Sequence, residues 1–110
     1  MSNSEAAGPA RLFAALGDPT RLGLIARLAD GRARSVGQMG EGLAISRQAV
    51  TKHLDVLTGA GLLRRTRSGR EVHFTLERGV VHAARDWLDQ VGAQWDGTLD
   101  RLKQIVENTP

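Results

Sequence analysis

The chain has 110 residues, no cysteine and a formal net charge of +3. This length predicts one domain with a modest core, and domains of this size are often completed by a partner chain. The lack of cysteine excludes disulfides, thiolate metal ligands and a cysteine nucleophile. The first thirty residues show no signal pattern and no apolar run is long enough to span a bilayer, so we expect a cytoplasmic protein without membrane association.

The charges are unevenly distributed along the chain. Residues 47–70 contain six basic side chains and one acidic side chain, a local net charge of +5. From residue 80 to the end, three basic residues accompany five acidic ones, a local net charge of −2. The middle segment is therefore suited to approach a polyanion such as nucleic acid, and the C-terminal segment is not.

Helical spacing of apolar residues predicts three short helices in the first part of the chain, at residues 9–16, 18–30 and 35–43. Asp18 and Pro19 are an N-cap followed by proline at the first helical position. Ser35 and Gln38 have the spacing of a capping box. Three glycines within the third segment weaken its helical tendency.

A fourth helix is predicted at residues 46–58, in the stretch that begins "SRQAVTKHL". Val50, Leu54 and Leu57 fall on one face of this helix, and polar or basic side chains occupy the other. Arg47 and Gln48 lie in the first turn, where a helix that enters the major groove with its N-terminus places base-contacting side chains. With the preceding helix and the turn Ala44-Ile45, the pattern predicts a helix-turn-helix. Taken alone, the fourth helix also fits an ordinary amphipathic surface helix.

A β-hairpin is predicted at residues 62–77, because Val72, Phe74 and Leu76 alternate with polar residues. We place its tip at Ser68-Gly69, between two arginines, Arg67 and Arg70. A basic hairpin directly after a recognition helix is a wing, and its arginines suit phosphates or the minor groove.

The C-terminal segment predicts a long amphipathic helix at residues 80–107. Its apolar stripe is far longer than an average helix of about 11 or 12 residues, and a domain this small cannot cover all of it. We therefore expect a dimer seam shared with the first helix, although Gly92 and Gly97 leave open a break into two helices. The stripe comprises Val81, Ala84, Leu88, Val91, Trp95, Leu99, Leu102 and Val106.

Three stretches, "FAALGDPTRLGLIARL", "ISRQAVTKHLDVLTGAGLL" and "RRTRSGREVHFTL", resemble the ArsR/SmtB (arsenic-repressor) family of bacterial winged-helix regulators over residues 10–78. The resemblance implies a homodimeric repressor that occludes a promoter and, in many members, releases DNA when a ligand binds. It places Arg47, Gln48, Thr51 and Lys52 where family members contact DNA, with His53 in support.

The sensing residues of the family are not matched. The helix before recognition reads "VGQMGEG", without the paired cysteines of members that sense thiophilic metals. The last helix offers His82 and Asp86, half of a zinc site that Glu77 or Asp89 of a two-fold partner could complete. We predict no metal and no cofactor, and the sequence does not identify a small-molecule effector.

These patterns predict a mainly α fold with a small β-hairpin, a winged helix-turn-helix with a long C-terminal dimerisation helix. The predicted function is sequence-specific binding of double-stranded operator DNA, as a homodimeric repressor. A protein-interaction module and a metal-responsive repressor with a non-cysteine site are the alternatives. No catalytic constellation is present, so we predict no enzymatic activity.

The predicted DNA contacts are Arg47, Gln48, Thr51, Lys52, His53, Arg65, Arg67 and Arg70. The predicted dimer interface comprises Leu12, Phe13, Leu16, Trp87, Leu88, Val91 and Trp95.

Overall fold

The computed structural model describes the backbone of residues 2–108 and the side chains of residues 8–108. Five helices and three strands follow one another along this part of the chain. In chain order they are α1 (Ser2–Leu16), α2 (Pro19–Arg27), β1 (Arg34–Ser35), α3 (Val36–Met39), α4 (Arg47–Gly59), β2 (Leu63–Ser68), β3 (Glu71–Leu76) and α5 (Arg78–Glu107).

One apolar core holds α1 to α4 against the sheet. The apolar faces of α2 and α4 meet there, because their leucines recur at helical spacing. Phe74 enters from β3, and Met39 enters from α3. The buried side chains are Leu12, Ala15, Leu24, Leu28, Met39, Val50, Leu54, Leu57, Leu62, Leu63 and Phe74.

The sheet has the strand order β1-β3-β2, and both pairings are antiparallel. Ser68 pairs with Glu71, so the turn of the hairpin is Gly69-Arg70 and not Ser68-Gly69 as predicted. Gly69 has a φ of 62°, a left-handed conformation that glycine adopts without strain. Arg70 therefore belongs to the tip itself. The mainly α fold with a β wing and a long last helix confirms the predicted winged helix-turn-helix.

The first two helices differ from the predicted ranges at their ends. α1 begins at Ser2, so Pro9 lies inside the helix and not at its first turn. α2 begins as predicted, with the Asp18 carboxylate accepting a hydrogen bond from the Arg21 N–H at 3.1 Å. It ends at Arg27, three residues before the predicted end, and the chain then turns at Gly31, which has a φ of 82°.

α3 is a single turn, shorter than the predicted segment 35–43. The capping box of Ser35 and Gln38 is present, as predicted. The helix ends at Met39 because glycines follow, and Gly42 has a φ of 79°. At Gly40 a Cβ would lie 3.0 Å from Cγ2 of Val50, so glycine lets α3 pack closely on α4. The turn between the two helices spans residues 40–46, not only Ala44-Ile45.

α5 is one unbroken helix of 30 residues that runs through Gly92 and Gly97. Val80, Val81 and Ala84 in its first turns pack against the core. At about 1.5 Å per residue the helix is about 45 Å long, so most of it extends beyond the core. The longest dimension of the molecule is accordingly 71 Å. Within residues 2–108, neither α5 nor another helix is long and apolar enough to cross a membrane.

Candidate nucleic-acid interface

The recognition helix α4 presents a polar first turn to solvent. Ser46 caps it, accepting a hydrogen bond from the Ala49 N–H at 3.1 Å. Val50, Leu54 and Leu57 are buried, which fixes the rotation of the helix about its axis. Arg47, Gln48 and Lys52 are exposed on the outward side. The helix therefore offers two cationic groups and one amide to an external partner.

Thr51 and His53 are less available for contact with an external partner than Arg47, Gln48 and Lys52. The Thr51 hydroxyl donates to the backbone oxygen of Arg47 at 3.0 Å, so its proton is used within the helix, whereas its lone pairs can still accept. His53 is half-buried, and its Nδ1 lies 3.4 Å from Nη1 of Arg21. The structure thus places His53 against α2.

Two arginines of α2 hold the helix-turn-helix together. Arg21 donates through Nε to the backbone oxygen of Ala15, at the end of α1. Arg27 donates through Nη1 to the backbone oxygens of Met39 and Glu41, at 3.0 and 2.6 Å. The Ala15 and Met39 carbonyls lie in the last turns of α1 and α3, where backbone oxygens lack intrahelical partners, and the Glu41 carbonyl follows α3. The two side chains therefore fix α1 and the turn before α4 relative to α2.

The wing arginines divide into two groups. Arg67 and Arg70 are exposed at and beside the tip. Arg65 is turned back toward the recognition helix, where it forms an ion pair with Asp55 of α4 and lies 5.7 Å from the centre of the Phe74 ring. Side chains two residues apart on a strand share a face, so Arg67 lies on the α4 side of β2 with Arg65. The ion pair links wing and recognition helix.

A surface groove joins the first turn of α4 to the wing tip. Its lining includes Arg47 of α4, Arg70 of the wing tip, and Ser35 and Val36 at the start of α3. Glu71 also borders the groove, and its carboxylate lies 2.8 Å from Nε2 of His73. Two arginines from separate elements thus face one concave surface, which suits an anionic ligand such as a phosphate backbone.

His82 and Asp86 have no third candidate zinc ligand beside them within residues 8–108 of one chain. Within residues 8–108, no three His, Cys, Asp or Glu side chains form a group that could hold a metal ion. Glu77 forms an ion pair with Arg64 at 2.8 Å, and Asp86 lies 3.7 Å from Nη2 of Arg85. His82 is exposed on α5.

Comparison with known proteins identifies the family. Residues 16–66, which contain α2, α3 and α4, match the family described as a helix-turn-helix domain. The chain is 42% identical over 82 residues to the HTH-type transcriptional regulator CmtR of Mycobacterium tuberculosis, covering 74% of this chain and 69% of the relative. It is similar to the ArsR-like transcriptional regulator of Rhodococcus sp. RHA1, with 34% identity, a TM-score of 0.82 and coverage of 96% and 99% of the two chains. The chain belongs to the ArsR family.

The same comparison includes the arsenical resistance operon repressor of Escherichia coli, 29% identical over 100 residues that cover 91% of this chain and 83% of the relative. All three proteins are regulators or repressors by name. This ArsR family member is accordingly a DNA-binding helix-turn-helix transcriptional regulator, and it contains no cysteine.

Three functional contributions were not predicted from the sequence. Arg21 and Arg27 brace the helix-turn-helix, and Asp55 turns Arg65 away from the wing tip. The "DPTR" stretch predicts a helix cap and contributes to the family resemblance. An arginine two residues after a helix-starting proline, able to reach back to the preceding helix, was the signal that could have identified Arg21.

Proposed function

We propose that this ArsR family member is a homodimeric repressor that binds a specific double-stranded operator and occludes a promoter. The observation that carries the proposal is the groove bordered by Arg47 and Arg70. It allows α4 to approach base edges while the wing tip approaches the neighbouring backbone or minor groove.

The two parts of this surface have different proposed roles. Arg47 and Gln48 carry side chains that can form two hydrogen bonds with guanine and adenine edges, respectively. Lys52 and Thr51 supplement them from the next turn. Arg67 and Arg70 contact phosphates or the minor groove, which adds affinity with little sequence preference. His53 and Arg65 act indirectly, because each side chain is engaged within the same chain. His53 contacts Arg21, and Arg65 forms an ion pair with Asp55.

The dimer is proposed from the apolar surface that α5 leaves exposed. Leu88 is 51% exposed, Trp95 is 61% exposed and Leu102 is 53% exposed. Val91, between Leu88 and Trp95 in the chain, is half-buried. So large a contiguous apolar stripe is typical of an interface. Phe13 and Leu16 of α1 are half-buried beside the core and can join it, whereas Leu12, at 7% exposure, offers a partner almost no surface.

A symmetric dimer would give the regulator its operator affinity. Two recognition helices about 34 Å apart engage successive major grooves on one face of the duplex. The bound dimer then covers the DNA that polymerase requires, which is repression by occlusion. The same arrangement predicts an operator with two-fold related half-sites.

Selection of bound sites from random duplex DNA tests the proposal. We expect enrichment of one pseudo-palindromic sequence whose half-sites are about 10 base pairs apart, centre to centre. Transcription from a promoter that overlaps this sequence should fall when the protein is added. Enrichment of no sequence, together with a salt-independent interaction with DNA, would favour the protein-interaction alternative.

A further inference from the structure

The outer part of the wing extends beyond the core of the domain. Of the six residues of β2, Leu63 is buried and the other five are exposed. On β3, Phe74 is buried, and it pairs with Arg65 across the hairpin. Gly69 at the tip follows Arg65 by four residues, which in a strand is a distance of about 13 Å. The position of the tip therefore depends on what holds the hairpin at Arg65.

Arg65 connects the wing to the recognition helix at this point. Its guanidinium pairs with the Asp55 carboxylate of α4, and its central carbon lies 5.7 Å from the centre of the Phe74 ring. An isolated ion pair on the surface restrains a structure only weakly. This guanidinium is held from two directions, by the carboxylate and by the ring of a buried residue, so its orientation is better fixed than that of a lone surface arginine.

The neighbouring arginine is engaged on the other face of the strand. Successive side chains of a strand alternate between faces, so Arg64 points away from Arg65. Arg64 pairs with Glu77 at 2.8 Å, beside the start of α5. Among the side chains that the structure describes, no ion pair joins the outer wing residues 66–70 to α4. The Asp55–Arg65 pair is therefore the outermost ionic connection between the wing and α4 in this part of the chain.

Asp55 occupies an unexpected place for a residue of a DNA-binding helix. It follows Gln48 by seven residues, about two turns, so the two side chains point within about 20° of each other. Asp55 is also the only acidic residue among residues 47–70. A carboxylate on this side of α4 repels phosphates and lowers affinity for DNA of any sequence. Its contact with Arg65 indicates a role in positioning the wing.

We propose that the Asp55–Arg65 ion pair fixes the wing tip relative to the recognition helix and thereby sets the preference of the regulator for its operator over other DNA. This inference rests on the proposed function, in which α4 reads bases while the wing contacts the neighbouring backbone or minor groove. On the operator, both contacts must form in one register, so a displaced tip lowers affinity. On DNA without an operator no register is fixed, and a displaced tip contacts other phosphates.

The ratio of operator affinity to scrambled-duplex affinity tests the proposal, because a change in net charge affects both duplexes alike. Asp55→Asn raises the net charge of the chain and Arg65→Gln lowers it, yet each should lower the ratio, by about 2- to 30-fold. The double variant should lower the ratio no further, since either change alone removes the ion pair. Asp55→Glu retains a carboxylate and should restore most of the ratio.

Arg64→Gln is the matched control, because it makes the same substitution one residue away on the opposite face of β2. It removes the pair with Glu77 and should leave the ratio unchanged. The three substituted residues are exposed, so all the variants should fold.

Backbone ¹⁵N relaxation of the free protein measures the effect on the wing without DNA. Order parameters of about 0.85 are typical of rigid backbone, and values below about 0.6 are typical of flexible backbone. The amides of residues 66–71 should have lower order parameters in Asp55→Asn and in Arg65→Gln than in the wild type. Arg64→Gln should match the wild type.

Direct contact between Arg65 and phosphate would give a different pattern. Arg65→Gln would then weaken binding to both duplexes alike, Asp55→Asn would strengthen it, and neither ratio would change. That pattern would overturn the proposal, and so would a lowered ratio with unchanged order parameters in the wing. Failure to select any operator would contradict the proposed function, and the order parameters would then decide whether the ion pair positions the wing.

Discussion

Arg21 and His53 meet between α2 and the recognition helix, with Nη1 of Arg21 3.4 Å from Nδ1 of His53. The same guanidinium donates through Nε to the backbone oxygen of Ala15 and lies 3.4 Å, through Nη2, from that of Ala14. One side chain therefore connects the end of α1 to the helix proposed to read DNA.

Arg21→Lys should destabilise the protein and weaken operator binding. Lysine keeps the charge but cannot reproduce the planar fork that reaches two carbonyls and an imidazole together. Loss of hydrogen bonds from a charged group costs about 1.5 to 3 kcal/mol of the free energy of unfolding. Urea unfolding measures this cost, and Arg11→Lys on the exposed face of α1 is the control. Equal unfolding midpoints for both variants would show that Arg21 does not brace the fold.

Leu88→Glu should convert the dimer to a monomer, because it places a charge in the apolar stripe of α5. Operator affinity should then fall by about 10²- to 10⁴-fold, since the two half-sites no longer bind as one unit. Gln90→Glu adds the same charge on the outer side of α5 and should remain dimeric. Sedimentation equilibrium measures the oligomeric state of both variants. An unchanged dimer in Leu88→Glu would refute this placement of the interface.

Operator binding should be indifferent to chelators and to added zinc. His82 is exposed, and the nearby carboxylates of Glu77 and Asp86 pair with Arg64 and Arg85. Titration of operator complexes with zinc, in the wild type and in His82→Ala, tests this expectation. A stoichiometric zinc site that releases DNA and is lost in His82→Ala would make this protein a metal sensor.

Stability should depend on the ionisation of Asp30. Arg34 donates two hydrogen bonds to the Asp30 carboxylate, at 2.9 and 2.8 Å, and the Arg32 N–H adds a third at 3.0 Å. The Arg34 guanidinium first, and the Arg32 N–H second, hold the pKa of Asp30 well below its usual range. A depressed pKa stabilises the fold at neutral pH, and that contribution disappears as pH falls below the ordinary aspartate value of about 3.9 toward the folded-state pKa.

Asp30→Asn should therefore lower the melting temperature at neutral pH, and its difference from the wild type should shrink as pH falls below about 4. Asp96→Asn removes the same charge from the distal half of α5 and serves as the control. Thermal unfolding over this pH range measures the difference. A gap between wild type and Asp30→Asn that widens in acid would contradict the assigned role of the ion pair.

Sequence patterns predicted the features that depend on residues close together in the chain, such as the buried face of a helix or its first residue. The spacing of Val50, Leu54 and Leu57 gave the orientation of α4, and the Asp18-Pro19 pair gave the start of α2. The alternation of Val72 and Phe74 gave the wing strand.

Features that depend on distant residues were missed or misplaced. α3 ends early because of its glycines, and Gly40 packs directly on Val50. Arg65 turns toward Asp55, ten residues away, and Arg21 reaches His53, 32 residues away. Such contacts depend on how α2, α4 and the wing pack together. The spacing of apolar residues along a single helix or strand does not predict that packing.

The central claim, that α4 reads bases while the wing clamps the backbone, is tested by binding of variants to operator and scrambled duplexes over a salt series. Arg47→Ala or Gln48→Ala should cost about 1 to 3 kcal/mol on the operator and much less on scrambled DNA. Arg67→Ala or Arg70→Ala should weaken both duplexes alike. The wing variants should also make the slope of log affinity against log salt shallower by about 2 for a symmetric dimer.

Comparison of Arg47→Ala with Arg70→Ala is the most direct form of this measurement, because both residues border one groove. The account predicts loss of operator preference for Arg47→Ala, and a shallower salt slope with preference retained for Arg70→Ala. The reverse pattern would exchange the two roles, and unchanged DNA binding in both variants would contradict the assignment of this surface to DNA.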